Sequence, residues 1–268
     1  MEGISGLVDR EQLLVGGRFY EASRSLMMAD LRAVLEALEE NGQVGRIIVN
    51  DSHDGMLNLS WQDLPPKVEL ISGGTKPGSM NAGVDEADFA LFVGYHAMAG
   101  TKQAIMDHTY SAEIRHVSIN QRFMGETGIN AAYAGSQEVP VIFVSGDRAV
   151  ADEAVALMPW VETAVVKEAQ SRRSAWLVPL EAAHTRLRTK AAGALAKYFR
   201  GQVEPFLVKY PLRLEVDLMT SDMADRAMFC PYMERVSGTR VAQTFESMPE
   251  CFRGFYTVMA LAAGRPIY

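Results

Sequence analysis

Apolar and polar residues alternate along the chain with two different periods, and the changes of period separate the predicted elements. Residues 19–40 place leucine and valine side chains at helical spacing, and Asn41-Gly42 predicts the end of that helix. The Ala-rich stretch 147–158 predicts a second helix. Short apolar runs typical of buried parallel strands occupy 47–49, 89–93 and 139–144, and 161–166 is a shorter strand candidate with an alternating pattern. Strands that alternate with helices predict an α/β fold, with a doubly wound, mostly parallel sheet and helices on both faces.

A different pattern fills the middle and the C-terminal third of the chain. Residues 114–119 and 123–124 flank Asn120-Gln121-Arg122, which predicts a tight antiparallel hairpin. Further elements are predicted as a helix at 180–199, a strand at 212–219, a hairpin of 233–236 with 240–245, and a terminal helix at 249–263. We therefore expect a smaller α+β domain with antiparallel hairpins. The predicted boundaries are 1–98 and 137–185 for the α/β core, and 99–136 and 186–268 for the second domain.

Two of the predicted parallel strands end in a histidine. The run that begins at Arg46 ends at His53, and the run that begins at Phe89 ends at His96. Ligands of open α/β sheets bind beyond the carboxyl ends of the strands. The two imidazoles are therefore candidates to share one site.

Composition and charge narrow the class of protein. The chain has 268 residues with a formal net charge of −7, which argues against a surface for nucleic acid or anionic membranes. It contains no apolar stretch near the ~20 residues that a membrane span needs, and its start lacks the pattern of a signal peptide. Cys230 and Cys251 are interpreted as buried, inert thiols. These features predict a cytoplasmic protein.

Other side chains suited to metal binding lie elsewhere in the sequence. His108 follows Asp107, Glu126 stands beside a glycine, and Glu2 precedes Gly3. Imidazoles and carboxylates together suit Zn²⁺. Each of these residues is equally explained as a hydrogen-bonded or solvated side chain, and the chain has neither a Gly-x-Ser-x-Gly elbow nor a Walker A loop. Taken alone, the residues indicate a possible metal site and no particular reaction.

Five sequence blocks stand in a fixed order along the first half of the chain. They are Met1-Glu2-Gly3-Ile4-Ser5-Gly6, Val49-Asn50-Asp51-Ser52-His53, Leu70-Ile71-Ser72-Gly73, Gly94-Tyr95-His96-Ala97 and Gly125-Glu126-x-Gly128-x-Asn130-Ala131. In this order and spacing the blocks resemble the zinc-dependent D-aminopeptidase family of the DppA type, and the resemblance weakens beyond residue 175.

The resemblance implies a function and assigns roles to residues. It places zinc ligands at Glu2, His53, His96 and Glu126, and the catalytic residue at His108. It further implies two zinc ions, a metal-activated water that removes the N-terminal residue of short peptides containing D-amino acids, and a homo-oligomer in the form of a decameric ring. Asp51 is a hypothetical orienting partner of His53.

The chain departs from the family pattern at one place. The family motif is Asp-x-Glu-Gly, whose aspartate bridges both metals, and that position falls immediately before Met1 together with a preceding strand. One expectation is that the true start lies upstream. A second is a catalytically impaired homologue that acts as a peptide-binding or assembly protein. A third is a related metal-dependent amidohydrolase, because fold and ligands do not fix the substrate.

Overall fold

The computed structural model describes residues 1–264, which form a mixed α/β fold with parallel and antiparallel sheets. The strands are β1 (Ile47–Asn50), β2 (Val68–Ile71), β3 (Ala90–Phe92), β4 (Ile114–Ile119), β5 (Arg122–Phe123), β6 (Val141–Asp147), β7 (Glu162–Ser171), β8 (Ser174–Leu177), β9 (Leu212–Leu218), β10 (Glu234–Arg235) and β11 (Arg240–Phe245). The α-helices are α1 (Tyr20–Glu40), α2 (Glu126–Ser136), α3 (Arg148–Leu157), α4 (Leu180–Phe199), α5 (Ser221–Ala227) and α6 (Met248–Ala262).

The parallel strands carry the first half of the fold. Strands β3, β6 and β7 pair in parallel and β8 closes the edge in the antiparallel direction, while β1 pairs in parallel with β2 alone. Helices α3 and α4 both pack on β6 and β7 and belong to different apolar clusters, represented by Val150 and Leu187. Helices on both faces are thus observed. A single doubly wound sheet is not confirmed, because the parallel strands of the described residues fall into two hydrogen-bonded sheets.

The antiparallel sheet follows the expected pattern closely. Its strand order is β10-β11-β9-β4-β5, and β9 buries alternate residues from Leu212 to Leu218 as a strand with one covered face should. The predicted hairpin turns at Asn120 and Gln121, whose φ angles of 51° and 68° are those of the tight turns that join twisted strands. Helix α6 packs on β9 and β11 and covers the buried face.

One large apolar cluster reaches across both predicted domains. It contains Val141 and Val144 of the parallel sheet together with Val216 and Val241 of the antiparallel sheet. The division into two domains stays a prediction, and the shared cluster fixes the two sheets against each other. No helix within residues 1–264 combines the length and apolar character of a membrane span.

A cleft of about 960 Å³ separates β1 from β3. Residues of both strands line it, together with apolar side chains of α1 such as Leu35 and residues near the end of α6 such as Ala260. The carboxyl ends of β1 and β3 lead to His53 and His96, which line the same cleft. The cleft therefore places the edges of two parallel strands beside the candidate site.

Candidate metal centre

Five side chains that are far apart in sequence meet beyond the carboxyl ends of the parallel strands. Glu2 lies in the N-terminal loop, His53 follows β1, His96 follows β3, His108 lies in the loop before β4, and Glu126 is the first residue of α2. All five line the cleft. The structure thus brings together every residue that the sequence analysis assigned as a zinc ligand or as the catalytic histidine.

The distances between these side chains are those of a compact cluster. His96 Nε2 lies 3.2 Å from Glu126 Oε1, and His53 Nδ1 lies 3.6 Å from Glu2 Oε2. His108 Nε2 stands between the carboxylates, 3.5 Å from Glu126 Oε1 and 3.9 Å from Glu2 Oε1. The rings of His96 and His108 are stacked with centroids 4.0 Å apart.

Each imidazole turns one nitrogen towards a backbone carbonyl. His96 Nδ1 faces Ala97 O at 3.1 Å, His108 Nδ1 faces Met106 O at 2.9 Å, and His53 Nε2 faces Leu13 O at 3.3 Å. A carbonyl accepts only, so the nitrogen that faces it carries the proton. The other nitrogen of each ring points at a carboxylate, and in the neutral imidazole its lone pair can bind a metal.

Burial and charge set the protonation of the cluster without a metal. Burial alone lowers the pKa of His96 and raises the pKa of Glu126. The attraction between the two charged groups outweighs burial, so the pKa of His96 rises to about 9 and that of Glu126 falls to about 2. Burial likewise raises the pKa of Glu2, and the Met1 ammonium at 2.9 Å and the imidazoles bring it well below its usual value. Burial lowers the pKa of His53. The carboxylates are therefore ionised and need cations beside them.

The loop that carries Glu2 approaches the segment after β3 too closely for any side chain at residue 3. A Cβ at Gly3 would lie 1.8 Å from Tyr95 O, and Gly3 N donates a hydrogen bond of 3.0 Å to Gly94 O. Glycine is required here because the two backbones touch. This contact sets the distance between Glu2 and the segment that ends in His96.

A buried polar network also holds the Glu126 carboxylate. Glu126 Oε1 accepts a hydrogen bond of 2.7 Å from Tyr110 N, and the Tyr110 hydroxyl donates to Asn130 Oδ1. Asn130 also donates to the Tyr95 hydroxyl and accepts from Asn81. Asn130 and Tyr95 belong to two of the sequence blocks, but the network itself was not predicted, because its members lie in separate segments.

Asp51 does not contact the imidazole of His53. Its buried carboxylate accepts hydrogen bonds from Asn58 N, Asn58 Nδ2 and Leu59 N, and Asn58 Nδ2 also donates to His53 O at 2.7 Å. The direct orienting contact that we hypothesised is therefore not observed. Asp51 instead holds the loop after β1 through Asn58, which reaches the backbone of His53.

The cluster fits a zinc ion by the chemistry of its donors. Ligand atoms of Glu2, His96 and His108 all lie within 4.8 Å of one another. Neutral imidazole nitrogens and ionised carboxylates are the nitrogen and oxygen ligands that Zn²⁺ takes in catalytic sites. His108, expected to be the catalytic residue, is thus also near enough to serve as a ligand.

Comparisons with known proteins show that the chain is a metal-dependent hydrolase of the aminopeptidase class, and the buried cluster of carboxylates and imidazoles fits that class. The model of the D-aminopeptidase family matches residues 1–257, and the chain belongs to this family. It is 37% identical to a D-aminopeptidase of Bacillus subtilis (strain 168), over 98% of this chain and 95% of that one. A solved structure, described as the Zn-dependent D-aminopeptidase DppA from Bacillus subtilis, a self-compartmentalizing protease, is 36% identical with a TM-score of 0.94 and covers 100% of this chain and 97% of that one.

Proposed function

We propose that the chain removes the N-terminal residue of short peptides, with a preference for D-residues, by zinc-dependent hydrolysis. The observation that carries the proposal is the arrangement of three imidazoles around the buried carboxylates of Glu2 and Glu126, in which one nitrogen of each ring faces a backbone carbonyl and the other faces a carboxylate. The D-preference is supported by the D-aminopeptidases that the chain resembles.

Glu2, His53, His96 and Glu126 would hold the metal, and the resemblance favours two ions. Bound Zn²⁺ supplies a Lewis acid for the scissile carbonyl and a water of lowered pKa. The protein contributes ionised carboxylates and imidazoles whose tautomers are already fixed, so the ligands need little rearrangement on binding.

His108 is the residue best placed to move a proton. Its side chain is 27% exposed, whereas those of His96 and Glu126 are 4% and 6% exposed, so it borders the space open to a substrate. Met106 O holds its Nδ1 hydrogen, which leaves Nε2 to take a proton and return it to the leaving amine.

Short peptides are the substrates that the site favours. The ligand cluster lines the cleft, whose volume of about 960 Å³ is that of a site for small ligands. We further propose a ring-shaped homo-oligomer, decameric by resemblance, since the DppA neighbour is called self-compartmentalizing. A cytoplasmic location is supported by two free, buried cysteines among the described residues.

One experiment tests the function and separates the alternatives. Zinc is counted in the purified protein, and hydrolysis of D-Ala-D-Ala, L-Ala-L-Ala and a small amide is followed for the wild type, His53→Ala and Glu126→Ala. We expect bound zinc and D-Ala-D-Ala cleavage only in the wild type. Zinc without any cleavage would indicate the impaired homologue, amide cleavage alone the amidohydrolase, and activity that survives both substitutions would refute the site.

A further inference from the structure

Lys167 of β7 is one of the largest side chains that the fold buries completely. Its side chain is 0% exposed, and its ammonium group donates to the carbonyl oxygens of Glu2, Ile4 and Leu7. The contact with Leu7 O is 2.5 Å and that with Ile4 O is 2.8 Å. An ammonium has three N–H donors. All three N–H groups of Lys167 therefore donate to carbonyls of one short segment of backbone.

The segment that Lys167 holds is the one that carries Glu2. Residues 1–8 contain neither helix nor strand, although Ile4, Ser5 and Leu7 are at most 1% exposed. Buried carbonyls outside regular structure need another donor. Lys167 supplies it for three of them, the carbonyl of Glu2 included.

An acidic residue also binds the backbone of this segment. Asp30 of α1, itself 1% exposed, accepts a hydrogen bond of 2.7 Å from Ser5 N. Lys167 thus binds carbonyls and Asp30 binds an amide of one loop, from β7 and α1 respectively. Burial lowers the pKa of Lys167 to about 8, and Asp147, Asp30 and Glu2 oppose that shift. Burying an ammonium group costs free energy unless hydrogen bonds compensate for the lost water. The three carbonyls of the loop provide this compensation, which indicates that the loop and Lys167 depend on each other.

We propose that Lys167 is a positioning residue for the metal centre, which fixes the Glu2 carboxylate in the cluster by gathering the carbonyls of residues 2, 4 and 7 around one ammonium group. Lys167 touches neither metal nor substrate and acts through the backbone of Glu2. This inference rests on the proposed role of Glu2 as a metal ligand. It explains why a loop without regular structure can hold a ligand beside three histidines that are each fixed by a backbone carbonyl.

The test is a zinc dissociation constant, measured by competition with a chromophoric chelator, so that peptidase activity is not needed. The variants are Lys167→Met, which keeps the length and removes the donors, Glu2→Gln, and Leu214→Ala as a matched control. Leu214 is buried in the antiparallel sheet, so its truncation lowers stability at a distance from the cluster. Thermal unfolding of each variant sets a measuring temperature at which all are folded.

We expect Lys167→Met to weaken zinc binding by about 10- to 100-fold, the range seen when partners of metal ligands are removed. Leu214→Ala should leave the dissociation constant unchanged even where its unfolding temperature falls equally far. Should Lys167→Met fail to fold, Lys167→Gln, which keeps two N–H donors, is expected to show an intermediate loss of affinity.

Wild-type affinity in Lys167→Met, or in Lys167→Gln where that variant is the one measured, would overturn the inference. If Glu2→Gln still loses zinc in that case, the proposed ligand role of Glu2 stands. If Glu2→Gln binds zinc as the wild type does, the ligand role itself fails, and the positioning role of Lys167 fails with it.

Discussion

At the scale of single residues, the sequence predicted which side chains lie together in the cluster but not what holds them in place. The family blocks contained Glu2, His53, His96 and Glu126, and the structure brings these together. The carbonyls of Leu13, Ala97 and Met106 fix the imidazoles. These are backbone atoms that every residue has, so the residue types in the sequence do not predict the contacts. The burial of Lys167 was not predicted either, because a lysine in a strand pattern normally lies on the surface.

The pair formed by Glu126 and His96 makes stability depend on pH in the absence of metal. The raised pKa of His96, about 9 instead of 6.5, contributes stability that is complete below pH 6.5 and lost as the pH rises through 9. The lowered pKa of Glu126, about 2 instead of 4.5, contributes stability that is present above pH 4.5 and lost as the pH falls towards 2. With chelator present, we therefore expect the loss of this His96 contribution to lower the unfolding temperature between pH 6.5 and pH 9.

Glu126→Gln removes the charge that raises the pKa of His96, so the alkaline fall should disappear in this variant. Burial would then keep the imidazole neutral throughout this range. Glu234→Gln is the matched control, because Glu234 pairs with Arg213 on the exposed antiparallel sheet. A pH profile of Glu126→Gln that superimposes on those of the wild type and this control would contradict the assignment.

At the scale of elements, strands and hairpins with clear patterns were predicted within a few residues, and the errors have identifiable causes. The strand predicted at 161–166 continues to Ser171 and pairs with β8, which was not predicted, because the polar run from Lys167 to Arg173 concealed a hairpin. Helix α2 was also missed, since its small residues give little amphipathic contrast. The short β2 and α5 offered too few residues for a period to show. The strand and aspartate expected before Met1 stay a prediction.

Substitution by alanine at two glycines inside helices should change the stability of the protein in opposite directions. A Cβ at Gly135 of α2 would lie 2.1 Å from Phe206 O, whereas one at Gly193 of α4 would meet only the Glu162 side chain at 3.9 Å. Gly135→Ala should therefore destabilise the protein by about 1–3 kcal/mol through overpacking. Gly193→Ala should stabilise it by about 0.5–1 kcal/mol through helix propensity. Urea unfolding of both variants measures the difference, and equal shifts of one sign would contradict the packing of α2 on Phe206.

At the scale of the whole molecule, the metal centre ties the N-terminal loop, both parallel sheets and α2 together. Zinc that binds only the folded chain stabilises it by mass action, by about 4 kcal/mol at a thousandfold excess over the dissociation constant. Removal of zinc by chelation should lower the unfolding temperature on the order of 10 °C. Calorimetry with zinc and with chelator measures this shift, and Glu126→Gln should show less of it. Identical curves for the wild type under both conditions would show that metal does not bind the native fold preferentially.

The dispersal of the five side chains along the chain also has a kinetic consequence. Glu2, His53 and Glu126 come from three separate stretches, His96 and His108 share the loop between β3 and β4, and no helix or hairpin holds two of the five. Contacts between such distant positions form only after the intervening loops have closed, late in folding. A nascent or refolding chain therefore has no single helix or hairpin that could bind zinc before these loops have closed. We expect metal uptake late in folding, so that peptide hydrolysis begins only once the molecule is complete.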